Sequence, residues 1–191
     1  MELLENRIKK DGEVLPGNIL KVSSFLNHQI DVKLMDQMGE EFYRIYKNSP
    51  VTKIVTIESS GIAVAYSVAR QFGKPLVFAK KNQTSNVNED VFSTKIYSYT
   101  HNKEYNVVIS KKFISPNDNI LLVDDFLANG KALNGLINIV EQAGAKVCGI
   151  CIAIEKGFQD GGKLLREKGY QVESLAIVEK MTDDGQIFFK H

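Results

Sequence analysis

Two apolar runs in this chain are each followed by a short turn of small and polar residues and then by a helical pattern. The first run is KIVTI (53–57), which leads through ESSG into apolar residues at helical spacing that stop at Gly73. The second is ILLV (120–123), which leads through DDFLANG into a helical pattern that stops at Gly144. LVFA (76–79) follows the first helix at once, so the order predicts parallel strands joined by right-handed crossovers.

The strands of this pattern are apolar almost throughout. KIVTI, ILLV and the run KVCGICIAIE, which begins at Lys146, therefore predict strands that are buried on both faces. This is typical of an α/β fold in which helices flank a mostly parallel, doubly wound sheet. With 191 residues, of which 43% are hydrophobic, the chain suits a single domain over 1–191, with its core at about 51–191.

The first fifty residues are predicted to form a small hood over the carboxyl edge of the sheet. The pattern indicates a helix, then a short strand ILKV, and then a second helix from Asp31. The inward residues predicted for the second helix are Leu34, Met35, Met38, Phe42 and Ile45.

A polar stretch from Lys80 to Thr94 interrupts the apolar pattern, and it is followed by KIYSYT and EYNVVIS. Both of these segments alternate apolar and polar residues, which predicts an antiparallel hairpin. Long polar loops in compact domains are usually mobile surface segments or lids, so we expect a flexible loop here.

Charge and composition limit the classes of partner. The formal net charge is +1 and the charged residues are mixed along the chain, which indicates no nucleic-acid or anionic membrane surface. No apolar run reaches secretory or transmembrane length, so we expect a cytosolic protein. Cys148 and Cys151 lie in the apolar run VCGICIAI, where a reduced, buried pair is favoured over a disulfide or a metal site.

Asp124 and Asp125 stand where ILLV ends, and ligands of open α/β sheets bind at the carboxyl ends of strands. The small-residue turn from 128 to 132 leads into a helix whose free N–H groups and positive dipole suit a phosphate. Two carboxylates beside a phosphate fit a ligand that also carries hydroxyls or a metal ion, and a ribose 5-phosphate does so. The alternative is that both acids cap the helix and face water.

A nucleotide-triphosphate loop is a poor interpretation of NGKA. That motif requires a glycine five positions before Gly130 and a Ser or Thr after Lys131. Asp125 and Ala132 occupy those positions.

Four apolar residues, two acids and a small-residue turn together resemble the signature of the type I phosphoribosyltransferases. The resemblance implies that Asp124 and Asp125 are the catalytic acids, which bind the ribose hydroxyls of phosphoribosyl pyrophosphate. It also implies that the 5-phosphate lies within the turn Ala128, Asn129, Gly130, Lys131 and Ala132. Asn129 replaces the usual Thr, and Ala132 replaces a common Thr or Ser, so backbone N–H groups and the Asn amide would carry the binding.

The turn after the first core strand is the second phosphate site that the resemblance implies. Its residues, Glu58, Ser59, Ser60 and Gly61, would hold the pyrophosphate with successive backbone N–H groups. Lys80 and Lys81 would help to neutralise the pyrophosphate as the flexible loop closes. From the residues alone, the turn could equally be capped by a serine, and the lysines could be a solvated pair.

The resemblance covers essentially the whole chain for purine-specific members of the family, through ILKVSSFLNHQID, FAKKN and IAIEKGFQ. It places Leu20, Asn27 and Lys156 around the base. Lys156 can only donate hydrogen bonds, so it can contact an oxo group but not the exocyclic amine of adenine. Without the resemblance, Lys156 would be a solvated lysine at a strand end and Asn27 a cap.

We therefore expect transfer of the 5-phosphoribosyl group from phosphoribosyl pyrophosphate to N9 of xanthine, a purine-salvage reaction. Mg²⁺ would arrive with the substrate, with no metal site in the protein itself, and the resemblance implies a homodimer. The alternatives are another purine, such as guanine, hypoxanthine or adenine, and a purine-responsive regulator with the same fold. A DNA-binding regulator should carry an added basic module, whereas the segment before KIVTI is mixed in charge.

The general acid or base is left open by one departure from the family. Adenine-specific members carry a Glu after a Tyr-Ser pair in the flexible loop. Here Tyr97 and Ser98 are followed by Tyr99 and Thr100.

Overall fold

The apolar runs of the sequence form the centre of one sheet in the computed structural model, which describes residues 1–82, 90–98, 103–182 and 184–191. The helices are α1 (Glu2–Asp11), α2 (Val32–Tyr46), α3 (Gly61–Phe72), α4 (Lys131–Gln142) and α5 (Gly161–Glu167). The strands are β1 (Glu13–Leu15), β2 (Ile19–Lys21), β3 (Lys53–Ile57), β4 (Leu76–Asn82), β5 (Val91–Ser98), β6 (Lys103–Ser110), β7 (Asn119–Leu127), β8 (Lys146–Lys156), β9 (Val172–Met181) and β10 (Ile187–Phe189).

The main sheet has the strand order β10-β9-β8-β7-β3-β4-β6-β5. Its five central strands, from β9 to β4, pair in parallel, and the strands at both edges pair antiparallel. The crossover helices α3 and α4 follow β3 and β7, as the sequence predicts. The predicted α/β fold with a mostly parallel sheet is therefore confirmed.

Helices cover both faces of the sheet. Helices α1, α2 and α3 pack with one set of buried residues, while α4 and Leu165 of α5 pack with the other. Glycines in the left-handed region stand at the ends of α3 and α4, where φ is +59° at Gly73 and +69° at Gly144. A residue without a Cβ adopts this conformation with little strain, so both predicted helix ends have a physical cause.

The hood consists of α1, the β1–β2 hairpin, a short π-helical turn at Ser23–Asn27, and α2. The side chain of Asp31 caps α2, because its carboxylate accepts the N–H of Leu34 at 3.1 Å. Four of the five inward residues predicted for α2 are buried, and Ile45 is half-buried. Strand β1 and the π-helical turn were not predicted.

The predicted polar loop from Lys80 to Thr94 is wrong at both of its ends. Lys80 and Lys81 continue β4 and pair with Val108 and Val107 of β6, and Thr94 belongs to β5. The predicted hairpin is present as β5 and β6, which pair antiparallel. Residues 83–89 of the predicted loop, together with Tyr99 and Thr100, lie outside the described residues.

The thiols of Cys148 and Cys151 are both free; Cys151 is buried and Cys148 is half-buried. Across the described ranges, no helix is both long enough and apolar enough to cross a membrane. No group of His, Cys, Asp or Glu side chains in those ranges could hold a metal ion.

Candidate active site

The carboxyl ends of β3, β7 and β8 lie side by side, because β7 pairs in parallel with both of the other strands. On β7, Asp124 lies opposite Ile152, and Leu127 lies opposite Glu155. The two acids, the turn after β7 and Lys156 at the end of β8 therefore share one edge of the sheet. The turn after β3 meets the same edge, so the fold brings together candidates from three parts of the sequence.

Asp124 and Asp125 are both almost fully buried, with 5% and 6% of their surfaces exposed. The backbone N–H of Asp125 donates to Oδ1 of Asp124 at 3.0 Å. Burial, and then the neighbouring charge of Asp125, raise the pKa of Asp124 well above its usual value, whereas Lys81 lowers it. Adjacent buried acids, for which the described ranges of the chain show no salt bridge, favour a site that is completed by a ligand over a helix cap facing water.

The turn from Ala128 to Ala132 leads into the first turn of α4. Gly130 has a φ of +77°, and its carbonyl accepts both the backbone N–H and the side-chain amide of Asn134, at 2.9 and 2.8 Å. The carbonyl oxygen of the Asn129 side chain accepts the N–H of Lys131 at 3.1 Å. The turn is thus held by its own hydrogen bonds at the positive end of a helix.

The turn from Glu58 to Gly61 leads into α3 and packs against the first acid. The peptide bond between Glu58 and Ser59 is cis. A Cβ at Gly61 would lie 2.8 Å from Oδ1 of Asp124 and would collide with Oγ1 of Thr56. Glycine is therefore the residue that lets the start of α3 approach Asp124 on β7.

Thr56 is a site residue that was missed in the sequence. It is fully buried on β3, and within the described residues its hydroxyl has no hydrogen-bond partner. Threonine is β-branched, as are its neighbours in β3, and such residues are common in strands. The sequence therefore gives no sign that this hydroxyl lacks a partner.

Lys80 and Lys81 are both exposed on β4, beside the turn that follows β3. The backbone N–H of Lys81 donates to the carboxylate of Glu58. The ammonium of Lys81 lies 5.4 Å from the centre of the Tyr105 ring. Lys81 thus lies near both Asp124 and the turn from Glu58 to Gly61.

The hood contributes Asn27 to the same edge. The side-chain amide of Asn27 donates a long hydrogen bond to Oδ2 of Asp125, at 3.4 Å. Asn27 is the last residue of the π-helical turn, whose Phe25 and Leu26 are buried and fix its position. Leu20, on β2, is buried with 6% of its surface exposed, so it packs within the hood.

Lys156 is half-buried at the end of β8, and burial lowers the pKa of its ammonium. Its Nζ donates to the backbone carbonyl of Asn18 at 3.0 Å. Lys156 is therefore not a freely solvated surface lysine. Asn18, in the turn between β1 and β2, was not singled out in the sequence.

Helix α5 packs between the turn after β7 and the end of β8. The N–H of Gly161 donates to the carbonyl of Ala128 at 3.1 Å, and a Cβ at Gly161 would collide with that oxygen. Arg166 donates to both carboxylate oxygens of Glu155 at 2.8 Å, and Ser174 also donates to this carboxylate. These contacts fix the residue before Lys156, but no short motif in the sequence indicates them.

Comparisons with known proteins agree with this geometry. The family model described as "Phosphoribosyl transferase domain" matches residues 21–183. A protein of Lachnoclostridium phytofermentans named xanthine phosphoribosyltransferase is 55% identical over 100% of this chain and 98% of its own length. One of the same name from Clostridium novyi is 53% identical over the full length of both chains.

Solved structures show the same fold. The APRTase of Giardia lamblia, complexed with 9-deazaadenine, superposes with a TM-score of 0.73 at 26% identity, over 88% of this chain and 92% of that one. An adenine phosphoribosyltransferase of Rhodothermus marinus gives a TM-score of 0.75 at 21% identity, over 93% and 100%. The chain belongs to the phosphoribosyl transferase domain family.

The ion pair between Glu155 and Arg166 should make the free energy of unfolding depend on pH. Burial alone would raise the pKa of Glu155, but the bonds from Arg166 and Ser174 outweigh it and hold the pKa below its usual value. The contribution to stability is therefore complete above the unfolded pKa, about 4.3, and is lost as the pH falls through the folded pKa.

We expect Arg166→Met to lower the free energy of unfolding at pH 7 by about 1–2 kcal/mol, measured by urea denaturation. This is less than for a fully buried pair, because 38% of the Arg166 side chain is exposed. The matched control is Lys163→Met on the same helix, where the 73% exposed side chain should contribute little. An equal loss at pH 3 and pH 7 would contradict this account.

Proposed function

We propose that this chain transfers the 5-phosphoribosyl group from phosphoribosyl pyrophosphate to N9 of xanthine, giving xanthosine 5′-monophosphate and pyrophosphate in purine salvage. The main support is the buried Asp124–Asp125 pair. It lies between two turns that each lead into a helix, and Asn27 of the hood contacts it. Relatives named xanthine phosphoribosyltransferase align over the whole chain at more than 50% identity, which supports xanthine as the base.

In this proposal, the two carboxylates accept hydrogen bonds from the 2- and 3-hydroxyls of the ribose. The turn from 128 to 132 receives the 5-phosphate at the start of α4, and the turn from 58 to 61 receives the pyrophosphate, with Lys80 and Lys81 beside it. A sugar held at three points needs little acid–base help, because positioning and charge stabilisation supply most of the rate enhancement. Positive charge developing near C1 would be offset by the carboxylates.

Mg²⁺ enters the proposal as part of the substrate. Its ligands would be hydroxyl and pyrophosphate oxygens of phosphoribosyl pyrophosphate, since hard divalent cations prefer oxygen donors. The buried pair of acids fits a substrate that brings such a cation, because positive charge nearby offsets the burial and the repulsion from Asp125 that raise the pKa of Asp124. The ion would supply charge neutralisation of the leaving pyrophosphate.

The base would lie between the hood and the end of β8. Lys156 would donate to one oxo group of the purine, and Asn27 would be the candidate donor for the second oxo group that distinguishes xanthine from hypoxanthine. Leu20 would supply apolar contact from the hood.

The same site could instead select guanine, hypoxanthine or adenine. A regulator that binds DNA is the alternative from another class, and a salt-dependent DNA-binding assay would reveal it.

The proposal extends to the domain organisation and the location of the enzyme. Residues 1–191 would act as one domain, because buried side chains of α1 and α2 share one cluster with those of β3 and β7. The enzyme would work in the cytoplasm, where the two free thiols are expected to stay reduced.

We also propose that the chain is a homodimer that pairs through one apolar groove. The groove has a volume of about 750 Å³, and Asn27, Ser59 and Ser60 are among its lining residues, so the second copy would lie next to the candidate site. Its large exposed apolar side chains are Ile30, Val32, Tyr66 and Phe78. A contiguous apolar surface beside a site is typical of an interface.

We expect Asp124→Asn with Asp125→Asn to reduce turnover of xanthine by about 100-fold or more, as for the removal of a group that stabilises developing charge. The folded state should not be weakened. The pKa of Asp124 is raised, so its ionised form destabilises the protein as the pH rises above the unfolded pKa, and neutral amides remove that cost. Steady-state kinetics and a thermal melt at pH 7 measure both effects.

The matched control is Glu40→Gln with Glu41→Gln, an adjacent pair of acids on α2, which should preserve turnover. Turnover like that of the wild type in the aspartate variant would end the sugar-binding proposal.

Lys156 tests the base assignment. We expect Lys156→Ala to lower kcat/KM for xanthine, guanine and hypoxanthine by about tenfold to a hundredfold, because an oxo acceptor loses its donor. Adenine should not lose efficiency in the same way. Lys146→Ala, at the opposite end of β8, is the matched control. Unchanged oxopurine kinetics in Lys156→Ala would show that the base assignment is wrong.

Tyr66 tests the proposed dimer interface. We expect Tyr66→Glu to shift the protein from dimer to monomer in sedimentation analysis, because it introduces a charge into the apolar groove. Tyr66 is 63% exposed in the single chain, so the folded monomer can accept the change. Phe113→Glu, at an exposed aromatic outside the groove, should leave the dimer intact. A dimer that persists in Tyr66→Glu would exclude this surface.

A further inference from the structure

The bond between Asn18 and Lys156 joins two parts of the chain that are 138 residues apart. Asn18 lies in the turn of the β1–β2 hairpin, and Lys156 is the last residue of β8. The ammonium of Lys156 donates to the backbone carbonyl of Asn18 at 3.0 Å. The hairpin also carries Leu20, only two residues beyond Asn18, so this contact adds a polar tie to the apolar packing between the hood and β8.

The hairpin turn has an unusual backbone. Leu15 pairs with Ile19, which leaves Pro16, Gly17 and Asn18 as the turn. Both Gly17 and Asn18 lie in the left-handed region, with φ of +83° and +59°. In the described part of the chain, Asn18 is the only residue other than glycine with a positive φ. Asparagine tolerates this region, whereas β-branched residues are strongly disfavoured there.

The direction of the Asn18 carbonyl follows from this backbone conformation. The carbonyl would turn away from Lys156 if residue 18 left the left-handed region. The side chain of Asn18 is exposed, so its chemistry matters less than the backbone angles that it permits. A substitution can therefore change the carbonyl without changing the core.

The bond to Asn18 restricts the position of the Lys156 ammonium. Its side chain is half-buried, and an ammonium carries three N–H donors on a flexible four-carbon stem. One donor to Asn18 fixes the position of the nitrogen and leaves donor capacity for a ligand. A lysine held in this way loses less conformational entropy when it binds a ligand than one that moves freely.

We propose that Asn18 is a positioning residue, whose left-handed backbone holds Lys156 in place for an oxopurine and so lets the hairpin set the preference among bases. The inference rests on the proposed function, in which Lys156 contacts the base. The competing interpretation is that the bond only fastens the hairpin to β8. That role would appear in stability and not in the kinetics of one substrate.

The test compares two substitutions at Asn18. Asn18→Val disfavours the left-handed region, whereas Asn18→Gly preserves it and is the conservative variant. We expect Asn18→Val to raise KM for xanthine about tenfold, with KM for phosphoribosyl pyrophosphate nearly unchanged. Strain at residue 18 lowers the melting temperature under either interpretation, so the kinetics and not the melt decide between them. Asn18→Gly should keep KM for xanthine near the wild-type value. Asn18→Ala, which is less strained, serves if the valine variant does not fold.

The control places the same side chain elsewhere in the hairpin. Glu13→Val changes an exposed strand position that pairs with Lys21, so it should leave KM for xanthine unchanged. A second control combines Asn18→Val with Lys156→Ala. If Asn18 acts through Lys156, the valine should add no further loss in that background.

The outcomes separate this inference from the proposed function. No turnover of xanthine by the wild-type protein would overturn the proposed function and this inference with it. Normal kinetics in Lys156→Ala would overturn the base assignment on which the inference depends. An impaired Lys156→Ala with xanthine kinetics in Asn18→Val equal to those in Asn18→Gly would overturn the inference alone, as would a full additional loss in the double variant.

Discussion

The parallel pairing of β7 with β3 on one side and with β8 on the other is the constraint on which the candidate site depends. Parallel strands end at the same edge, so each strand delivers the residues that follow it to one place. The crossover helices then begin at that edge and direct their free N–H groups toward it. Antiparallel pairing of β7 would have sent the two acids and the turn from 58 to 61 to opposite edges.

The same arrangement has an energetic cost. Asp124 and Asp125 are adjacent and buried, and the pKa of Asp124 is raised by burial and by its neighbour. Gly61 lets α3 approach so closely that little space is left around Asp124. The folded chain therefore carries a local destabilisation at the point where a sugar and a cation would be favourable, which is typical of sites selected for binding over stability.

The sequence predicted the elements whose signal is local. Apolar runs, helical spacing and terminal glycines indicated β3, α3, β7 and α4, and the sheet class followed from them. Elements that depend on distant partners were missed or misplaced. Lys80 and Lys81 were predicted to lie in a loop, but they pair with β6, and that pairing overrides their polar character. The π-helical turn that presents Asn27 has no sequence signature, because buried Phe25 and Leu26 define it through packing.

The hood shows most clearly why candidate site residues were easier to name from the sequence than to arrange in space. Asn27 reaches Asp125 across 98 residues, and Asn18 reaches Lys156 across 138. One contact ties the hood to the pair of acids, for which we propose sugar binding, and the other ties it to Lys156, for which we propose base binding. Because both contacts belong to one packed unit, a shift of the hood must alter both ends of the site together. Under the proposed function, the hood is thus a structural link between the recognition of the sugar and the recognition of the base.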